Sequence, residues 1–276
     1  MQSMVAEDTF VFLSESRTVV NKVAWNDSAV EKLWLYNLHY FDDLNAAGAA
    51  NRREWHMRLV ERWIEENPPG YGNGWEPYPI SLRIVNWIKW AMGGGALSSR
   101  AIASLAIQVR FLSERLEFHL LGNHLLANAK ALIFAGAFFE QEEAGEWLTK
   151  GLAILRREMP EQILADGGHF ERSPMYHAVI LEDMLDIENI ANAYGLGVII
   201  EAGVVDKMRD WLATMCHPDG EIAFFNDAAF GIAPRLMALS EYAQRLKHPV
   251  HQAPSHGVLQ LVESGYVRLE KKTPFS

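Results

Sequence analysis

Cysteine occurs once in 276 residues, at Cys216, so no disulfide can close within the chain. Its apolar neighbours mark it as a small buried side chain rather than a nucleophile. Basic charge is scarce as well: 25 Lys and Arg stand against 35 Asp and Glu, a formal charge of -10. That balance disfavours nucleic acid, and also a densely sulfated polyanion, unless cations gather in one place. No apolar run reaches the roughly 18 to 20 residues that a membrane span needs, and no membrane partner is expected. The opening residues, Met1 to Asp8, lack the basic and apolar regions of a signal peptide, which leaves the localisation open. His124, His169 and His177 follow no compact metal-ligand spacing, so no metal and no cofactor are expected; interior or cleft histidines are the plainer reading.

What is present is a chain of ordinary globular composition, 49% hydrophobic and 22% charged, ruled by the helical period. Candidate helices cover residues 30–46, 52–67, 81–92, 98–121, 123–139, 143–159, 174–194, 204–216 and 234–246. Short connections such as Gly93-Gly94-Gly95, Gly122 and Asp166-Gly167-Gly168 imply antiparallel succession. Stretches 101–121 and 125–139 are apolar on more than one face and belong to an inner layer. The pattern predicts an all-α fold, a two-layer array of helical hairpins closing into a partial ring, although periodicity alone does not separate a ring from a solenoid. After His248-Pro249 the texture changes. Residues 251–256 read as a polar linker, and residues 258–262 and 266–270 as two short strands around Glu263-Ser264-Gly265. A lone hairpin is marginal in water, so these strands are expected to be the least ordered segment and to open a truncated β domain. The expected division is a helical domain over residues 1–250 and a linker with first strands over 251–276.

Two helix starts carry the chemistry. In the first, Gly122 is expected to close one helix in a left-handed conformation while Asn123 caps the next, with His124 beside it. In the second, Ser173 reads as an N-cap and Pro174 as the first helical residue, which puts Tyr176 in the first turn at the positive dipole end. An amide, an imidazole and a phenol near positive helix ends suit an anionic substrate and a carbanion-like intermediate. A helix N-terminus or nearby cations are expected to pull the Tyr176 pKa down. Each residue also has a structural reading. Asn123 is a common cap, and Glu171 with Arg172 forms a surface ion pair. Trp75, Tyr78 and Trp87 are core residues, or sugar platforms beside the Gly-rich segment Gly70 to Gly74. Arg83 either grips a substrate carboxylate or caps a core acid.

The ordered series Trp34 to Phe41, Trp75-Glu76-Pro77-Tyr78-Pro79-Ile80-Ser81-Leu82-Arg83-Ile84-Val85-Asn86-Trp87, Gly122-Asn123-His124 and Glu171-Arg172-Ser173-Pro174-Met175-Tyr176 resembles the N-terminal helical domain of the heparinase II/III-like polysaccharide lyases, over roughly residues 30 to 270. The resemblance implies an incomplete (α/α) toroid followed by an antiparallel β-sandwich domain, with the strands after Val258 as the first of that sandwich. It implies β-elimination on a uronic-acid-containing, acidic polysaccharide, with Asn123 neutralising the substrate carboxylate, Tyr176 transferring the proton and His124 assisting. Glu171, Arg172, His177, Arg83, Trp75 and Tyr78 are then the substrate-binding candidates. The family's second-domain histidine has no counterpart in these residues, so a separately encoded or missing β-sandwich domain is the implied partner. The acidic balance favours a less charged bacterial uronate polymer over heparin. Family members are often periplasmic or secreted. Two other classes stay open: an (α/α) toroid glycoside hydrolase drawing a carboxylate pair from Asp166, Glu171 and Asp227, and a non-catalytic carbohydrate-binding fragment.

Overall fold

The computed structural model describes residues 2–120, 122–250 and 257–270. The chain divides into two compact units, Met1–Gly151 and Leu152–Ser276. The first opens with a three-stranded antiparallel sheet that the helical reading did not anticipate: β1 (Met4–Ala6), β2 (Thr9–Phe12) and β3 (Glu15–Thr18), in that order. Strands β2 and β3 pair from Thr9↔Thr18 to Phe12↔Glu15. The two-residue turn between them is Leu13-Ser14, with φ of 53° and 63°, the positive values that a tight hairpin demands. Leu13 is no turn former, Ser14 lacks the ease of Gly or Asn at positive φ, and strands this short carry little alternation, so the sequence signal was weak. One buried carboxylate holds the sheet. Asp43 accepts from the backbone N–H of Ser3 at 2.6 Å and of Met4 at 2.9 Å, from Arg52 Nε at 2.7 Å and from His56 Nε2 at 2.8 Å. Burial pushes its pKa up, but the hydrogen bonds from His56, Arg52, Met4 and Ser3 outweigh burial and hold it well below the usual carboxylate range.

Helices α1 (Lys32–Tyr40), α2 (Arg53–Glu66), α3 (Pro77–Met92), α4 (Ser99–Ser113) and α5 (Asn123–Phe138) follow, and α6 (Glu142–Gln162) runs on from the first unit into the second. Helix α3 packs chiefly on α5. Between α1, α2 and α3 lies a tryptophan core: Trp63 stacks on Trp75 at 5.9 Å between ring centroids and meets Trp87 edge-on at 5.8 Å. Three boundaries differ from the periodic pattern by more than three residues. Helix α1 ends at Tyr40 because Phe41 is left-handed, with φ 64°, and a 3-10 turn over Asp42–Asn45 replaces its last turn. Helix α3 starts a turn early because Pro77 and Pro79 occupy first-turn positions, whose N–H groups have no helical partner to lose. Helix α4 stops at Ser113 rather than near Leu121, because the Glu117 N–H is claimed by Asn128 Oδ1 at 2.9 Å instead of a helical carbonyl.

The second unit contains α7 (Pro174–Tyr194), α8 (Val204–Thr214) and α9 (Leu236–Arg245), each packed on the other two, and an antiparallel hairpin of β4 (Gly257–Leu261) and β5 (Tyr266–Glu270). The hairpin falls where the sequence put it, but it is not the unsupported pair expected. Its turn is tied down by Ser264, whose N–H and Oγ both donate to Asp166 Oδ2, at 2.8 and 2.7 Å, while Trp211 Nε1 donates to Ser264 Oγ at 2.8 Å. Arg268 Nη1 donates to the carbonyls of Ala213, Thr214 and Cys216 at the end of α8, and Leu261 packs on Trp211 and Met215. The turn before α7 needs its glycines: Gly167 has φ 89°, and a Cβ there would lie 2.4 Å from the Lys207 carbonyl oxygen. The expected linker, residues 251–256, lies outside the described residues.

Candidate active site

Each unit gathers one polar cluster of the expected residues. In the first, Gly122 has φ 92° and ψ -150° and sits directly before α5. It does not close α4, and Asn123 does not cap α5: it is the first helical residue, and its Nδ2 donates to the Tyr78 hydroxyl at 3.1 Å. The capping alternative for Asn123 is thereby removed. The His124 ring lies 4.4 Å from the Tyr78 ring, tilted by 31°. Its Nδ1 bonds Glu117 Oε1 at 3.0 Å. Glu117 in turn is clamped by Asn128, which accepts from the Glu117 N–H and donates to Glu117 Oε2 at 3.1 Å. Glu117 and Asn128, both buried, were missed by the sequence reading. The only available signal was their spacing across the Gly122 turn.

In the second unit, Ser173 Oγ accepts from the Tyr176 N–H at 3.3 Å, so the predicted cap and first-turn placement hold. Tyr176 is half-buried. Its phenol pKa is raised rather than lowered: burial pushes it up first, then the charges of Asp227 and Glu171, and a hydrogen bond to Asp227 adds to this. The helix end was expected to win, but burial first and then the charges of Asp227 and Glu171 outweigh it. Arg172, exposed and left-handed at φ 58°, offers its carbonyl to Asn226 Nδ2 at 2.8 Å and to the Tyr266 hydroxyl at 2.9 Å. Asn226 Nδ2 also donates to the Glu171 carbonyl at 3.3 Å. Strand β5 thus braces the loop that presents Tyr176.

Three expected substrate contacts belong to the core instead. Arg83 is fully buried, donating to Gln108 Oε1, the His39 carbonyl and the Gly74 carbonyl, with its guanidinium 3.8 Å from the Trp63 ring centroid. Its fork is spent on chain closure, so it grips no substrate and caps no acid. His177 is also fully buried: Nδ1 accepts from the His169 N–H at 3.1 Å and Nε2 donates to the Met208 carbonyl at 2.8 Å. Trp75 is packed against Trp63 and Phe111, and its Nε1 donates to the Asn67 carbonyl. Asp166 is occupied by Ser264 and by the Gly168 N–H, which hold its pKa down against burial and remove it from any hydrolytic carboxylate pair. Cys216 is buried as expected, with its thiol pushed up to about 11 by burial.

The family model for the heparinase II/III N-terminus matches residues 23–248. The chain belongs to the heparinase II/III N-terminus family. Among curated heparinase relatives, a heparin-sulfate lyase from Bacteroides stercoris is 39% identical over 111 residues, which is 39% of this chain and 17% of that protein. A heparin-sulfate lyase from Pedobacter heparinus is 25% identical over 192 residues, 64% of this chain and 29% of that one. Among solved structures, a heparinase III matches with a TM-score of 0.62 at 20% identity, covering 95% of this chain and 49% of that one. The heparan sulfate lyase HepC from Pedobacter heparinus matches with a TM-score of 0.56 at 21% identity, covering 91% and 45%. The chain thus spans about half the length of its heparinase structural neighbours. The fold likeness agrees with the all-α class read from the sequence, that of the (α/α) heparinase N-terminal domain.

Proposed function

We propose that this chain is the helical part of a polysaccharide lyase that cleaves a uronic-acid-containing chain by β-elimination. The observation that carries the proposal is the position of Tyr176 in the first turn of α7, on a family motif, where burial and the charges of Asp227 and Glu171 raise the pKa of its phenol. A phenol held in its acid form is suited to protonate the departing glycosidic oxygen. The C5 proton of a uronate becomes removable once the adjacent carboxylate is offset, and the Asn123 amide supplies that donor as charge develops toward the enolate. Glu171 and Arg172 serve the saccharide flanking the reacting bond. The names of the relatives make heparan sulfate one probe, and the chain's own charge of -10 makes a less sulfated uronate polymer the other.

Product chemistry tests this in the whole gene product that carries these residues. An unsaturated uronate at the new non-reducing end supports elimination. A new reducing end without unsaturation overturns it in favour of hydrolysis, and binding without turnover overturns it in favour of a binding module.

Asn123→Ala is expected to lower kcat about a hundredfold, the scale of one lost oxyanion donor, with little change in KM. Because the side chain caps nothing, the variant should lose only about 0.5 to 1.5 kcal/mol, the worth of the hydrogen bond to Tyr78. Kinetics run beside thermal melts check both parts. A variant that unfolds, or one with unaltered kcat, defeats the assignment.

A further inference from the structure

The chain of hydrogen bonds behind His124 fixes more than its position. Ser81 Oγ donates to the Pro77 carbonyl at 2.8 Å, so that oxygen is left to accept from Asn128 Nδ2 at 3.0 Å. The Glu117 N–H can only donate, so the atom it meets on Asn128 at 2.9 Å is the carbonyl Oδ1. These two constraints agree on the orientation of the Asn128 amide, and its NH2 group therefore also serves Glu117 Oε2 at 3.1 Å. The other carboxylate oxygen, Oε1, faces His124 Nδ1 at 3.0 Å. An ionised carboxylate only accepts, so Nδ1 carries the proton and Nε2 is the nitrogen left over. The Glu117 side chain is 8% exposed and that of His124 is 33% exposed, so the orienting group is covered while the ring keeps access to solvent. The Tyr78 ring, 4.4 Å away, limits rotation of the imidazole.

We infer that Glu117 is a positioning residue that holds His124 as the Nδ1–H tautomer, so that Nε2 presents its lone pair as a proton acceptor for the elimination. The inference rests on the lyase reading for the purpose of Nε2, whereas the tautomer itself does not. The step balances simply: Nε2 takes the proton from the uronate C5, the electron pair moves into the enolate, and the double bond forms as the glycosidic oxygen leaves with a proton from a general acid.

Glu117→Gln makes a sharp test. Gln has one acceptor and one donor, and the fixed Asn128 NH2 demands the acceptor. The Gln NH2 must then face His124 Nδ1, which becomes the acceptor, and the ring switches to Nε2–H. Imidazole nitrogen shifts by NMR on isotope-labelled 276-residue protein read this directly. The expected result is Nδ1–H in the wild type and Nε2–H in Glu117→Gln. A wild-type ring in the Nε2–H form overturns the inference without need of any variant, and so does an unchanged tautomer in a folded Glu117→Gln protein. In the whole gene product, kcat of Glu117→Gln should fall at least about tenfold with KM within about twofold, the pattern for losing a correctly protonated base. Unchanged kcat beside a switched tautomer overturns the role of Nε2. Absence of unsaturated product from the wild type would instead defeat the lyase reading and leave the tautomer result standing.

Discussion

Tyr176→Phe should lower turnover at least about a hundredfold while saccharide affinity changes little, since general acid–base groups contribute on the order of a hundredfold or more. The substitution removes one hydroxyl and keeps the ring. The helix start is untouched, because Ser173 Oγ caps the backbone N–H of residue 176, not its side chain. Steady-state kinetics with binding measured by calorimetry separate the two effects, and retention of more than about a tenth of the activity would sink the assignment. The raised phenol pKa makes a companion statement about pH. Loss of the phenol proton sets the alkaline limb of the rate profile, and Asp227 pushes that limb upward. Asp227→Asn removes a negative charge beside the hydroxyl, so the limb should move to lower pH. A limb that stays in place or moves up would show that another group sets it.

The same residues show what a sequence can and cannot disclose. The cap, the proline and the first-turn tyrosine of α7 were legible because each obeys a local rule: Ser173 accepts from an orphan N–H, and Pro174 needs none. The hairpin of β4 and β5 was legible from alternation about a polar turn. What escaped depends on partners far along the chain. Nothing local says that Asp166 meets Ser264, 98 residues away, or that Arg268 reaches three carbonyls at the end of α8. Those contacts turn a marginal hairpin into a docked one. Arg83 was misjudged for the same reason. An arginine on an amphipathic helix usually extends to solvent, but here its three acceptors and the Trp63 face are supplied by other segments. Burial pushes the pKa of its guanidinium down, and those acceptors offset the loss of water. The Glu117, Asn128 and His124 cluster was hidden because a helical pattern ran through Glu117, and only the tertiary claim on its N–H reveals that α4 has already ended.

Acid should unfold this protein early, and three core histidines give the reason. His39 accepts from Trp63 Nε1 at its Nδ1, at 2.9 Å, and donates from Nε2 to the Trp25 carbonyl at 3.0 Å. His177 divides its nitrogens in the same way between the His169 N–H and the Met208 carbonyl. A second ring proton would break the accepting bond in each. Burial, joined by the charge of Arg83, lowers His39 to about 3, burial and His177 lower His169 to about 3, and burial lowers His177 to about 4. The unfolded chain titrates near 6.5, so below that pH it binds protons that the folded state refuses, and stability falls as pH falls. The contribution is intact above about pH 6.5 and drains until the folded values are reached. At pH 5 each histidine costs about 2 kcal/mol relative to neutrality, since one pH unit is worth about 1.4 kcal/mol. Three together come to about 6 kcal/mol, comparable to the whole stability of many domains. Asp43 and Asp166 do not blunt this loss: their depressed values keep them ionised until well below pH 5, and their contribution is lost only at still lower pH. Urea titrations followed by circular dichroism between pH 7.5 and 5 measure the loss. A decline of less than about 2 kcal/mol over that interval would show that the buried imidazoles accept protons without leaving the fold.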